Sequence, residues 1–124
     1  MLAVLMSAGV PVLVSSTGEP APPARAIAIV RDEHRSLTAV VHAWIRALSA
    51  ARLADTAADP GLMRAIVRYL QAFALQLHHP KEEKHLFRLL RERTTSCHAE
   101  LDELERQHQR DATWVAALAQ RVEA

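Results

Sequence analysis

From Ala26 onward, hydrophobic residues recur every three or four positions, which is the spacing of one face of a helix packed in a bundle. This spacing predicts a first helix whose inward face carries Ile27, Val30, His34, Leu37, Val41, Trp44 and Leu48. His34 is the polar member of this face. A polar side chain on a buried face loses its contacts with water, so His34 needs a partner there.

The second hydrophobic stretch follows a break at LADTAADPG. Asp59 and Pro60 predict the start of its helix, because aspartate accepts hydrogen bonds from free N–H groups and proline fits the first helical position. Pro80 lacks a backbone donor, so we expect a kink or an interruption at that residue. The predicted inward face consists of Leu62, Ile66, Tyr69, Phe73 and Leu77.

A third helix is predicted after the TTSC segment at 94–97. Two polar residues on its inward face, His108 and Asp111, lie three positions apart and therefore on neighbouring turns. Three long antiparallel helices joined by short loops predict an all-α bundle over residues 25–124. The inward face of the third helix consists of Leu101, Leu104, His108, Asp111, Val115, Leu118 and Val122.

Composition narrows the classes of function. The chain has 124 residues and a formal charge of +1 with acids and bases interleaved, so no basic surface for nucleic acid is predicted. Its single cysteine, Cys97, fits a reducing compartment, and we expect a cytoplasmic protein. The apolar stretch at 1–16 is short for a membrane span and lacks the charged start of a signal peptide, and a proline-rich linker follows it. We expect residues 1–24 to be poorly ordered and the protein not to associate with membranes. A leader or a weak membrane anchor is the alternative for residues 1–16.

The stretch HHPKEE at 78–83 offers two sets of candidate ligands. His78 and Glu82 lie four residues apart and share a helix face, and His79 and Glu83 have the same spacing one residue later. The leucines that follow favour the first pair only slightly, so spacing leaves both open. Imidazole nitrogen together with carboxylate oxygen suits iron, zinc or manganese, whereas calcium prefers oxygen ligands.

Each of these polar residues also has a purely structural interpretation. A lone histidine on an apolar face, such as His34, is more often a hydrogen-bonded core residue than a ligand. His108 and Asp111 would form a simple hydrogen bond, and HHPKEE would be a solvated helix segment. Their joint occurrence on helices that face one another favours a metal site.

Three segments resemble the hemerythrin-like (HHE) cation-binding family: RDEHRSL in the first helix, LHHPKEEKHLF in the second and LERQH in the third. The resemblance covers roughly residues 26–120. It implies a four-helix bundle with a non-haem di-iron centre. Some members of the family bind oxygen, and others are linked to nitric oxide, iron or oxidative-stress responses.

The resemblance also implies a ligand set. Its histidines and its metal-bridging carboxylate would be His34, His78, His108 and Glu82. His79 and Glu83 would then lie around the ligands or face solvent. The alternative, in which they replace His78 and Glu82 as ligands, stays open. Many relatives carry glutamate where this chain has Gln107, so one carboxylate ligand is missing here unless Asp111 or Glu105 compensates.

The family has a fourth helix with further ligands, whereas this chain ends at Ala124, near the end of the third. We therefore expect a truncated relative, or one that completes its bundle with a second copy as a homodimer. The predicted function is binding or sensing of a small diatomic ligand such as oxygen or nitric oxide, or iron handling, rather than enzymatic turnover. The alternative is a metal-free, degenerate helical module that binds a partner through its open apolar groove.

Overall fold

Three long helices account for most of residues 22–124, the part of the chain that the computed structural model describes. Helix α1 spans Pro22–Leu53, helix α2 runs over residues 60–93, and helix α3 spans His98–Glu123. The short loops between them make consecutive helices antiparallel. The predicted all-α class is therefore confirmed. The predicted N-terminal segment lies outside the described residues, except for its last three, with which α1 begins.

Helix α2 starts where the sequence predicts. The Asp59 carboxylate accepts hydrogen bonds from the N–H groups of Gly61 and Leu62, at 2.7 and 3.3 Å, and Pro60 occupies the first turn. The helix then changes its hydrogen-bond pattern without ending. Its successive segments are α-helical Pro60–Tyr69, π-helical Leu70–His78, α-helical His79–Lys81, π-helical Glu82–Phe87 and α-helical Arg88–Arg93.

Of the two effects expected at Pro80, a kink or an interruption, the interruption is wrong, because α2 continues through this residue. A proline in a regular α-helix lacks the N–H of one hydrogen bond, and its ring meets the carbonyl group four residues earlier. In α2, π-helical segments flank the proline, and the N–H of His79 donates to the carbonyl of Ala74, five residues earlier. The helix therefore passes through HHPKEE and keeps these residues on one continuous element.

The hydrophobic core forms where α2 packs against both α1 and α3. Trp44 of α1 reaches across to α2, where its indole N–H contacts the Met63 sulfur at 3.1 Å. Leu101, near the start of α3, is fully buried. The buried residues of this cluster are Met63, Ile66, Val67, Leu70 and Val115.

The predicted face of α3 is buried or half-buried throughout, whereas two predicted faces need correction. On α1, Val41 and Leu48 are exposed, and Val40 and Ala47 pack against the core instead. On α2, Leu62 and Leu77 are exposed. The buried positions from Leu70 to Phe87 are 70, 74, 78, 82 and 87, because π-helical turns hold more residues than the three-to-four spacing assumes.

Within residues 22–124, no helix combines the length and the apolar character that crossing a membrane requires.

Candidate metal centre

The four predicted site residues meet around the carboxylate of Glu82. Its Oε1 lies 3.3 Å from His34 Nε2, and its Oε2 lies 3.6 Å from His78 Nε2 and 3.2 Å from His108 Nε2. The side chains of His78 and Glu82 are buried, with residue exposures of 1% and 6%, while His34 and His108 are half-buried. One buried carboxylate thus faces three imidazole rings, one from each helix.

The local structure of each helix explains this convergence. His78 ends one π-helical segment and Glu82 begins the next, so the α-helical turn His79–Lys81 places them four residues apart on one side of α2. His34 lies on the packed face of α1, and His108 lies on the packed face of α3. The antiparallel packing of the three helices brings these side chains together.

The spacing of the ligand atoms suits a cation. His34, His78 and Glu82 each offer one atom, and these atoms lie within 4.8 Å of one another. His108 approaches the same oxygen of Glu82 as His78 does, while His34 approaches the other. A carboxylate whose two oxygens face different histidines can bridge two ions. That these residues bind metal stays a prediction.

A second layer of contacts surrounds the histidines. Glu33 Oε2 lies 2.8 Å from His78 Nδ1, and Glu33 Oε1 contacts the Lys81 ammonium group. Glu83 Oε1 lies 2.8 Å from His108 Nδ1. Neither Glu33 nor Lys81 was predicted as a site residue. The sequence feature that could have indicated Glu33 is its place directly before His34 in a charged segment.

The alternative pair lies beside the central cluster. The ring of His79 stacks on that of His108, with centroids 3.7 Å apart and planes 4° from parallel. Glu83 is an exposed residue that contacts the outer nitrogen of His108. His78 and Glu82 therefore face the centre, and His79 and Glu83 pack around His108.

Comparison with known families agrees with this geometry. The sequence model of the hemerythrin HHE cation binding domain matches residues 25–124. The chain belongs to the hemerythrin HHE family. Neither the curated proteins nor the solved structures yielded a match. Family membership supports metal binding by this HHE domain, and the resemblance to this family noted in the sequence is confirmed.

Burial and neighbouring charges shift the pKa values of several side chains at the HHE site. Burial lowers the pKa of His34 and lowers that of His79 to about 4, so both rings are neutral at neutral pH. Burial favours the protonated form of Glu82, but the hydrogen bond with His108 and the nearby His78 outweigh it and lower the pKa of Glu82. Histidine binds metal in its neutral form and a carboxylate in its ionised form, and the pKa shifts of His34 and Glu82 favour these forms.

His108 shows the opposite balance. Burial opposes its positive charge, but hydrogen bonds with Glu82 and Glu83 outweigh that effect and raise the pKa of His108. A cation that displaces the proton from the inner nitrogen would take over its contact with Glu82. Proton and metal therefore compete at this ring.

The residues considered as compensating ligands have other surroundings. The Gln107 amide donates to Glu103 at 2.9 Å, and Glu105 pairs with Arg91 at 3.2 Å. Asp111 is half-buried, and burial raises the pKa of its carboxyl group. Glu105 is therefore paired with an arginine, whereas Asp111 lies on the same face of α3 as His108.

Proposed function

We propose that this HHE domain holds two iron ions bridged by Glu82 and uses them to bind or sense a small diatomic ligand, such as oxygen or nitric oxide, or to handle iron. The observation that carries the proposal is the position of Glu82. Its two oxygens face different histidines, and the carboxylate is buried. Such a group would be costly to bury without a positive partner.

The donor set fits this class of metal. Imidazole nitrogens and a carboxylate suit iron, and they also suit zinc and manganese. His34, His78 and His108 would supply nitrogen, and Glu82 would bridge. When bound, iron would supply a redox-active centre with an open coordination position for a diatomic ligand. The protein's contribution is to place three imidazole rings around one buried, ionised carboxylate and to limit the access of water.

The proposal is tested with protein loaded with ferrous iron under anaerobic conditions. We expect nitric oxide to change the optical absorption of the wild type, and we expect His34→Ala to reduce that change strongly. His42→Ala is the matched control, because His42 is an exposed histidine on the same helix. A folded, iron-loaded wild type that shows no spectral response to nitric oxide or oxygen would contradict ligand binding and leave iron handling.

An exposed apolar surface favours a second candidate, a metal-free module that binds a partner helix or a second copy. Val41, Ile45 and Leu48 lie on one side of α1 with exposures of 37–54%, and Trp114 of α3 is 64% exposed. This candidate predicts that Ile45→Glu weakens self-association in sedimentation experiments, while His34→Ala leaves association and folding unchanged. A monomeric wild type at high concentration would refute the homodimer.

A further inference from the structure

Two of the site histidines contact a carboxylate through Nδ1, the ring nitrogen that does not face Glu82. His78 Nδ1 lies 2.8 Å from Glu33, and His108 Nδ1 lies 2.8 Å from Glu83. In both cases the carboxylate is the chain neighbour of a predicted ligand, Glu33 of His34 and Glu83 of Glu82. Each carboxylate reaches a histidine on the next helix along the chain.

These contacts determine which ring nitrogen carries hydrogen. An ionised carboxylate can only accept a hydrogen bond, so a nitrogen 2.8 Å from it must be an N–H donor. A neutral imidazole has one N–H and one bare nitrogen. In a neutral His78, the hydrogen on Nδ1 leaves Nε2 bare, and this Nε2 is the atom that faces Glu82 at 3.6 Å.

The Glu33 carboxylate is itself fixed in place. Its side chain is 14% exposed, and its second oxygen contacts the ammonium group of Lys81, one helical turn after His78. The positive charge of Lys81 beside this oxygen favours the ionised form of the Glu33 carboxylate. By contrast, no hydrogen-bond partner for the buried Nδ1 of His34 lies among residues 22–124.

We propose that Glu33 is a positioning residue of the metal centre: it holds His78 in the tautomer with hydrogen on Nδ1, so that the bare Nε2 faces Glu82 and the cation. Glu83 acts on His108 in the same way once a cation occupies the inner nitrogen. This inference deepens the proposed function and rests on metal binding at this site. Carboxylates behind metal-binding histidines commonly fix ring orientation and raise ligand basicity.

The first test compares zinc affinities, measured by competition with a chelating dye. We expect Glu33→Gln and Glu83→Gln each to weaken binding about 10- to 100-fold, the usual effect of losing such a contact. Glu92→Gln is the matched control, because Glu92 is an exposed glutamate on α2 that pairs with Arg88. Its affinity should stay within about twofold of the wild type.

The second test needs no metal. Nitrogen-15 NMR of the metal-free protein at pH 8 should show His78 of the wild type with hydrogen on Nδ1 alone. In Glu33→Gln the population should shift towards hydrogen on Nε2, while Glu92→Gln leaves it unchanged. A wild-type His78 with hydrogen on Nε2, or Glu33→Gln with wild-type tautomer and affinity, would overturn the inference. A wild type that binds no zinc would refute metal binding, and the tautomer measurement would still decide the role of Glu33.

Discussion

Replacing Pro80 with alanine should make the metal-free protein more stable and its metal site weaker. In a regular α-helix, proline costs about 3 kcal/mol relative to alanine. The π-helical segments around Pro80 avoid part of the steric clash, but the missing N–H still removes a hydrogen bond, worth about 1 kcal/mol. We expect Pro80→Ala to raise the free energy of unfolding by about 1–2 kcal/mol.

The same change should disturb the site. An alanine at position 80 allows the surrounding residues to return to α-helical hydrogen bonding, which has fewer residues per turn. His78 and Glu82 flank this position, so such a change rotates one relative to the other about the axis of α2. We expect zinc affinity to fall at least about tenfold, since small displacements of ligands are costly at metal sites.

Urea denaturation of the metal-free protein measures the first effect, and zinc competition measures the second. Pro60→Ala is the control, because Pro60 lies in the first turn of α2, where the missing N–H is not needed. We expect little change in either measurement for this control. A Pro80→Ala variant that is less stable than the wild type, or that binds zinc with unchanged affinity, would refute the link between the proline, the π-helical segments and the site.

Two further substitutions test the packing and the charge on α3. Leu101→Ala should lower the free energy of unfolding by about 3 kcal/mol, because Leu101 is fully buried, whereas Leu53→Ala at an 89% exposed position should change it by less than about 0.5 kcal/mol. Similar urea midpoints for these two variants would contradict the described core. Burial raises the pKa of the Asp111 carboxyl group above its ordinary value of 3.8. The folded protein therefore binds the carboxyl proton more tightly than the unfolded chain does, and it loses stability as the pH rises through the pKa of the folded state. Asp111→Asn should therefore stabilise the protein at pH 7 more than at pH 3, and denaturation with an equal effect at both pH values would contradict this assignment.

The helical class and the face of α3 could be predicted from the sequence because both depend on local periodicity. The Asp59 cap was predictable for the same reason, since its partners are two and three residues away. The face of α2 beyond Leu70 was only partly predictable, because π-helical turns shift its buried positions to spacings of four and five. The sequence marks Pro80 as irregular, but whether a helix ends or widens at a proline depends on the packing of its neighbours.

The inner residues of the site could be proposed because His34 and His108 interrupt otherwise apolar faces. The outer contacts could not, because they depend on how far one helix is shifted along the next. Glu33 reaches His78 across 45 positions in the chain, and Lys81 reaches Glu33 across 48. Neither contact leaves a periodic signal in the sequence, so three-dimensional structure was needed to identify them.

The number of iron ions bound per folded chain decides whether Glu82 and the three histidines form a metal centre. Metal-free protein would be loaded with ferrous iron under anaerobic conditions, desalted and measured by elemental analysis, beside a Glu82→Ala variant. The proposed di-iron centre predicts close to two ions per wild-type chain and a large loss in the variant, because Glu82 faces all three histidines. A folded wild type that retains no iron, or a Glu82→Ala variant that retains as much as the wild type, would contradict it.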